Sequence, residues 1–268
     1  MVKDFFIEID EIKSIVFFLV ITLARPLGFL TAFALINFTL KRGMLLRIAI
    51  SIALGLPIMV ANIATLNDLF ATGTLFDRTF LPAKETIIGF TIGTLASLPF
   101  LAFKFAGHIS DSYRAEGSNG LNFTGSETVT TGGLIMFLVL SLTFVANDGL
   151  WHLFKAFYSS YALWPIELYL PTLRGNAVML VVDQLRATFL LMIRVGIPLL
   201  LLLILAEFFL IIASRIGRRY GFNSYNFHLK NLVFLAVLPI YVVYLVRVAE
   251  DVEGDILDAT RLFSLVFQ

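Results

Sequence analysis

Residues 198–214 read PLLLLLILAEFFLIIAS, with Glu207 as the single ionisable side chain, and they close an apolar stretch that begins near residue 177. A run of this kind has few folded solutions. About 20 mostly apolar residues are what a helix needs to cross the hydrocarbon core of a bilayer, and this chain repeats the pattern along its length. Of its 268 residues 59% are hydrophobic and 15% charged, against roughly 25% charged in an ordinary soluble domain. One soluble core would not absorb that many long apolar runs. The fold class read from the sequence is all-α, an integral membrane helical protein, with residues 1–268 forming a single membrane-embedded domain.

Six spans are expected. The first covers 14–38, with Arg25 and Pro26 near its middle, and the second 45–66, interrupted by Gly55 and Pro57. The third is 86–106 around Pro99, and the fourth runs from 134 to 162. Residues 177–213 are too long for one straight span. Gly196-Ile197-Pro198 is expected to divide them into a shorter helix bearing Asp183, Arg186 and Arg194 and a proper span over 198–214, the two making one broken crossing. The last span is 232–248. Lysines and arginines in short loops mark the cytoplasmic side. Lys41, Arg42 and Arg47 follow the first span, and Arg215, Arg218, Arg219 and Lys230 follow the fifth. Both termini then lie outside, together with an acidic tail over 250–268 whose Val252, Ile256, Ala259, Phe263 and Val266 form one helical stripe. That tail would dock on a neighbouring subunit, lie at a membrane surface or simply fray.

The stretch 84–133 stands apart. Its first half is apolar, with Gly89, Gly93 and Ser97 recurring every four residues, as Ala24, Gly28 and Ala32 do in the first span. Rows of small residues let helix backbones approach closely in lipid, either within one bundle or between subunits. Its second half, 107–133, is polar and punctuated by glycines, and long loops are commonly functional. We expect it to act as a plug-like loop, with Gly107, Asp111, Arg114, Glu116, Gly117 and Gly120 as its gating residues.

Ionisable residues within the apolar runs include Arg25, Lys104, Asp148, Asp183, Arg186, Arg194 and Glu207. Each costs roughly 2.5–3.5 kcal/mol to insert, so most need a partner, water or protein cover. Arg25, Lys104 and Glu207 are the candidates for buried charges. Arg25 with Glu207, and Asp183 with Arg186 at helical spacing, are the pairs the sequence offers.

Catalytic constellations are missing from the sequence. His108, His152 and His228 lie far apart, and Gly117 to Gly125 lacks the Gly-Lys-Ser/Thr ending that cradles nucleotide phosphates. With no cysteine there is no disulfide, thiolate metal site or Cys nucleophile. A formal charge of +1 with no basic cluster among aromatics gives no argument for nucleic acid. The expectation is a protein that is not an enzyme, with no cofactor and no metal.

Four blocks, in order, resemble a known family, the T subunit of the type III secretion export apparatus (SctT) and its flagellar counterpart FliR. They are LARPLGFLTAFALINFTLKRGMLLRIAISIAL at 23–54, the 84–114 block with Lys84, Glu85, Gly89, Gly93, Pro99, Phe100, Ala106, Gly107, Asp111 and Arg114, SSYALWPIELYLP at 159–171, and the Ala-Glu-Phe and Ser-Arg block at 199–233. Ala115, the proline-free 122–126 and Gly217-Arg218 depart from the family pattern. The third and fourth blocks look closer to injectisome members than to flagellar ones.

The resemblance implies a subunit of a helical export gate at the bacterial inner membrane. Several copies each of R and S subunits, the U switch subunit, membrane lipids and transported unfolded effector proteins would be its partners. It also implies that the loop after the third apolar segment helps to plug the channel, and that much of the assembled complex sits above the bilayer plane, towards the periplasm. Two other readings compete: a secondary transporter using discontinuous helices, and a passive assembly scaffold.

Overall fold

A computed structural model of the chain describes residues 2–39, 43–114, 130–169, 177–216 and 226–266. Nine helices account for nearly all of these: α1 (Val2–Ala32), α2 (Ala34–Thr39), α3 (Met44–Ala61), α4 (Ile63–Thr72), α5 (Leu75–Tyr113), α6 (Thr131–Ala146), α7 (Gly149–Leu163), α8 (Ala177–Ile216) and α9 (Asn226–Val266). Among the described residues there is no strand. Segments within α1, α3, α5, α8 and α9 are long and apolar enough to cross a membrane, and α6 with α7 makes a sixth crossing if the bent pair counts as one. The protein is an all-α, multi-pass membrane protein.

The breaks fall elsewhere than the sequence led us to expect. Residues 177–213 are not divided at Pro198: α8 runs unbroken for 40 residues. A proline removes the N–H that would bond the carbonyl four residues earlier, here that of Arg194. The Tyr244 hydroxyl donates to Arg194 O at 3.0 Å, and the Tyr241 hydroxyl donates to the next carbonyl, Val195 O. A hydroxyl from α9 thus satisfies the carbonyl that Pro198 frees, and the helix continues past it.

The fourth expected span is broken instead. α6 and α7 bend by 76° at Asn147-Asp148, where Asp148 has φ 61. Asp and Asn tolerate the left-handed region better than other non-glycine residues. Gly149 follows, and a Cβ there would strike the Phe144 ring at 2.5 Å, so the bend depends on a bare backbone.

The third span is also longer than expected. α5 has 39 residues and does not end at Ala106. Residues 107–113 are its last turns and 131–133 are the first turn of α6, so both ends of the segment read as loop are helix. Inside these turns Ser110 donates to Ala106 O at 3.2 Å. Polar character there reflects buried hydrogen bonding, which sequence polarity alone mimics as loop.

By its contacts the chain forms two compact units. The first comprises Met1–Ser97, Phe154–Ala177 and Thr260–Gln268, and the second Leu98–Leu153 and Val178–Ala259. The core of the first is aromatic, with Phe29 stacked on Phe33 and Phe157 against Phe29 at 5.2 Å. Within it α1 packs on α3, and the Tyr158 hydroxyl donates to Leu54 O at 3.1 Å. In the second unit Phe100 meets Phe137 and Phe144 edge-on or tilted, at 6.1 and 5.3 Å.

Candidate functional site

Within the first unit α1 and α5 cross on the two small-residue rows. A Cβ at Gly28 would meet Thr86 O, one at Gly89 would meet Arg25 O, and one at Gly93 would lie 2.9 Å from Ala32 Cβ. Ser97 sits in the same row and meets the break at Phe33 between α1 and α2. Its hydroxyl accepts from Ala34 N at 2.8 Å and shares its proton between Ala32 O and Gly93 O.

The close crossing carries a charge network. Arg25 is fully buried, and so is Glu85. Arg25 Nε donates to Glu85 Oε2 at 2.7 Å, one terminal nitrogen donates to Ser160 Oγ at 3.0 Å and the other to Trp164 O at 2.9 Å. The guanidinium lies 3.8 Å from the Tyr161 ring centroid. Lys84 pairs with the other Glu85 oxygen at 3.0 Å and donates to the carbonyls of Pro165, Ile166 and Leu168 at 3.4, 2.8 and 2.9 Å. Two cations and one carboxylate, topped up by backbone oxygens, therefore fasten the irregular residues after α7. The expected partner of Arg25 was Glu207; Glu85, on the helix that crosses beside it, holds that place instead. Asp183 and Arg186 are both exposed on α8, and Arg194 is paired with Asp251 at 2.9 Å.

In the second unit the end of α5 meets the start of α6. Asp111 is fully buried and its carboxylate accepts from Gly132 N at 2.6 Å and Gly133 N at 3.2 Å. A carboxylate at a helix N-terminus satisfies orphan N–H groups and meets the positive end of the helix dipole. Thr130 is the N-cap, its hydroxyl also accepting from Gly133 N. Gly107 allows the contact, because a Cβ there would run into the backbone of Gly132 and Gly133. Lys104 is half-buried one turn earlier.

Arg114 pairs with Asp111, donates to Asn231 Oδ1 at 3.1 Å and covers the Phe234 ring at 3.6 Å. Tyr113 donates to Glu207, whose carboxylate is 3.1 Å from Lys230 Nζ. The last turn of α5 is thus gripped by α6, α8 and α9. Residues 114 and 130, the ends of the segment 115–129, are both tied into this cluster. Glu116, Gly117 and Gly120 lie outside the described residues.

Sequence reasoning picked out Arg25, Asp111, Arg114 and Glu207 but missed Ser160, Trp164, Tyr113, Asn231 and the two α9 tyrosines. Glu85 was quoted as part of a block and not as a charge to be paired. Its place beside Lys84, at the head of an apolar run, was the available signal.

Buried charges and glycines in this protein serve to fix helix crossings and loop ends, which defines a helical, multi-pass membrane protein built for packing. Its residues 16–254 match the family model for bacterial export proteins, family 1, and the chain belongs to that family, the one that includes SctT and FliR. It is 27% identical over 227 residues to the Yop proteins translocation protein T of Yersinia pestis, covering 84% of this chain and 86% of the relative. The protein of the same name from Yersinia pseudotuberculosis gives the same figures.

Proposed function

We propose that this chain is the T subunit of an injectisome-type type III secretion export gate, and that the end of α5, the segment after it and the start of α6 close the channel at rest. The family match and the kinship with a Yop translocation protein support the export role. The observation that carries the closing role is the clamp itself: Asp111, Arg114 and Thr130 secure both ends of one segment in a buried cluster. Securing Asp111 to Arg114 and Thr130 to Gly133 fixes where the intervening segment begins and ends. No chemistry by this chain is needed for that. R and S subunits in several copies, and the U switch subunit, are its partners in this reading, and the bacterial inner membrane is its site. Helices α5, α8 and α9 have 39, 40 and 41 residues. At about 1.5 Å per residue each is about 60 Å long, twice the hydrocarbon thickness of about 30 Å. That excess supports an assembled position reaching beyond the bilayer, and the periplasmic side is the direction we propose for it.

The test is deletion of residues 116–126, which spares Asp111 and Arg114. The complex should still assemble with its partner subunits, and ion leakage through it in planar bilayers should rise. Background conductance in a fully assembled complex would refute the closing role.

A further inference from the structure

We infer that the break between α1 and α2 is made by α5 and not by the residues that break. The Ser97 hydroxyl caps both new helix ends from outside, and through them it positions α2 and the head of α3. Residues 29–38 read FLTAFALINF, with no glycine or proline to stop a helix. The ladder runs on through Phe33 itself, whose N–H donates to Phe29 O and whose carbonyl accepts from Asn37 N, both at 2.9 Å. Ala34 departs from it. In an unbroken helix its N–H would donate to Leu30 O, and here it donates to Ser97 Oγ at 2.8 Å. The same hydroxyl donates to Ala32 O, the last carbonyl of α1, at 2.9 Å, sharing its proton with Gly93 O.

Helices are interrupted where a foreign side chain enters the i→i−4 ladder, and the buried Ser97 is placed to do that. Gly93, one turn earlier on α5, lets it come so near: a Cβ there would lie 2.9 Å from Ala32 Cβ. The effect reaches α3. Asn37 on α2 donates through its amide to Thr31 O, six residues back, whereas side chains of a continuous helix meet neighbours three or four residues away. Held in that way, Asn37 Oδ1 accepts from a terminal nitrogen of Arg47, in the first turn of α3, at 2.7 Å. Ser97, Ala34, Asn37 and Arg47 thus link the middle of α5 to the start of α3. Ser97 is a positioning residue in this relay, and α2 is the element it sets.

Ser97→Ala removes one hydroxyl and leaves the size of the side chain almost unchanged. The freed Ala34 N–H regains Leu30 O by closing the ladder, so no buried donor is stranded and the fold should survive. The full chain in detergent, with spin labels at Ile36→Cys of α2 and Leu46→Cys of α3, reports where α2 lies; there is no native cysteine to interfere. Ser97→Ala should shift the distance between the labels, while the Ala34 amide stays as protected from deuterium exchange as in the native chain. Adding Ala34→Pro should restore the native distance. Proline has no N–H with which to close the ladder, its ring clashes with the carbonyl four residues back in a continuous helix, and it is favoured at the first position of a helix, where Ala34 stands in α2. A purely structural loss at Ser97 would not be reversed by a proline at another residue.

An unchanged distance in Ser97→Ala, with the Ala34 amide exchanging about tenfold or more faster for want of an acceptor, would show that residues 29–38 break by themselves and would overturn the inference. A shifted distance that Ala34→Pro fails to restore would overturn it as well. Ser97→Gly, which also lacks the hydroxyl, is the second variant, and the same two readings decide it.

Discussion

Replacing Arg25 by Met keeps an apolar stem in the α1–α5 crossing and removes the guanidinium. Glu85 then retains only Lys84, at 3.0 Å, while Trp164 O and Ser160 lose a donor. Breaking a buried ion pair by removing one partner costs about 3–5 kcal/mol, a large part of the about 5–15 kcal/mol that holds a typical domain together. The second step of the experiment removes the stranded charge. In the double variant Arg25→Met with Glu85→Leu no carboxylate is buried without its arginine, and Lys84 keeps its three backbone acceptors. What remains is one lost donor to the Trp164 carbonyl, worth about 1–3 kcal/mol, and a Lys84 ammonium held by backbone oxygens without its carboxylate. The double variant should therefore be more stable than Arg25→Met alone by about 2 kcal/mol. Denaturant titration of the detergent-solubilised protein, followed by tryptophan fluorescence, measures all four corners of the cycle. A loss of less than about 1 kcal/mol in Arg25→Met, or a double variant as unstable as the sum of the singles, would refute the view that these charges depend on each other.

Two further outcomes follow from backbone geometry. Alanine at Gly89 would force its Cβ onto Arg25 O, whereas at Gly196 the nearest neighbour is Ala106 Cβ at an ordinary 3.5 Å. Gly89→Ala should lose about 1–2 kcal/mol from overpacking and Gly196→Ala should gain up to about 1 kcal/mol of helix propensity, read as opposite shifts in thermal midpoint. Asp148→Gly should stabilise the α6–α7 bend by about 0.5–1 kcal/mol, because glycine adopts φ 61 without the side-chain penalty, while Asp148→Val should lose more than about 1 kcal/mol in the same assay.

The apolar runs made the membrane-spanning helices legible, because span length is a property of sequence alone. Where those helices break was not. Pro198 looked decisive, yet the carbonyl it frees, that of Arg194, accepts from the hydroxyl of Tyr244, 50 residues further along the chain. Asn147-Asp148-Gly149 carries ordinary turn chemistry, but it lies in so apolar a setting that hydropathy hid it. The candidate site divided in the same way. That Arg25 and Glu207 need partners follows from the cost of burying charge. Which partners they take depends on helix crossings that the small-residue rows locate only once it is known that they face each other.

The network around Arg25 also has a history in time. Its partner Glu85 lies 60 residues further along the chain and Trp164 lies 139 residues further. At a synthesis rate of about 5–20 residues per second, the first helix waits about 3–12 s for its counter-charge and about 7–28 s for its last acceptor. Until Glu85 emerges, the nascent chain presents an arginine in an apolar span without the carboxylate that pairs with it. The order of emergence gives the network a schedule: α1 reaches the membrane early and remains unfinished until α7 and the residues after it have left the ribosome. A premature stop before residue 160 thus leaves a protein whose first helix has no settled address.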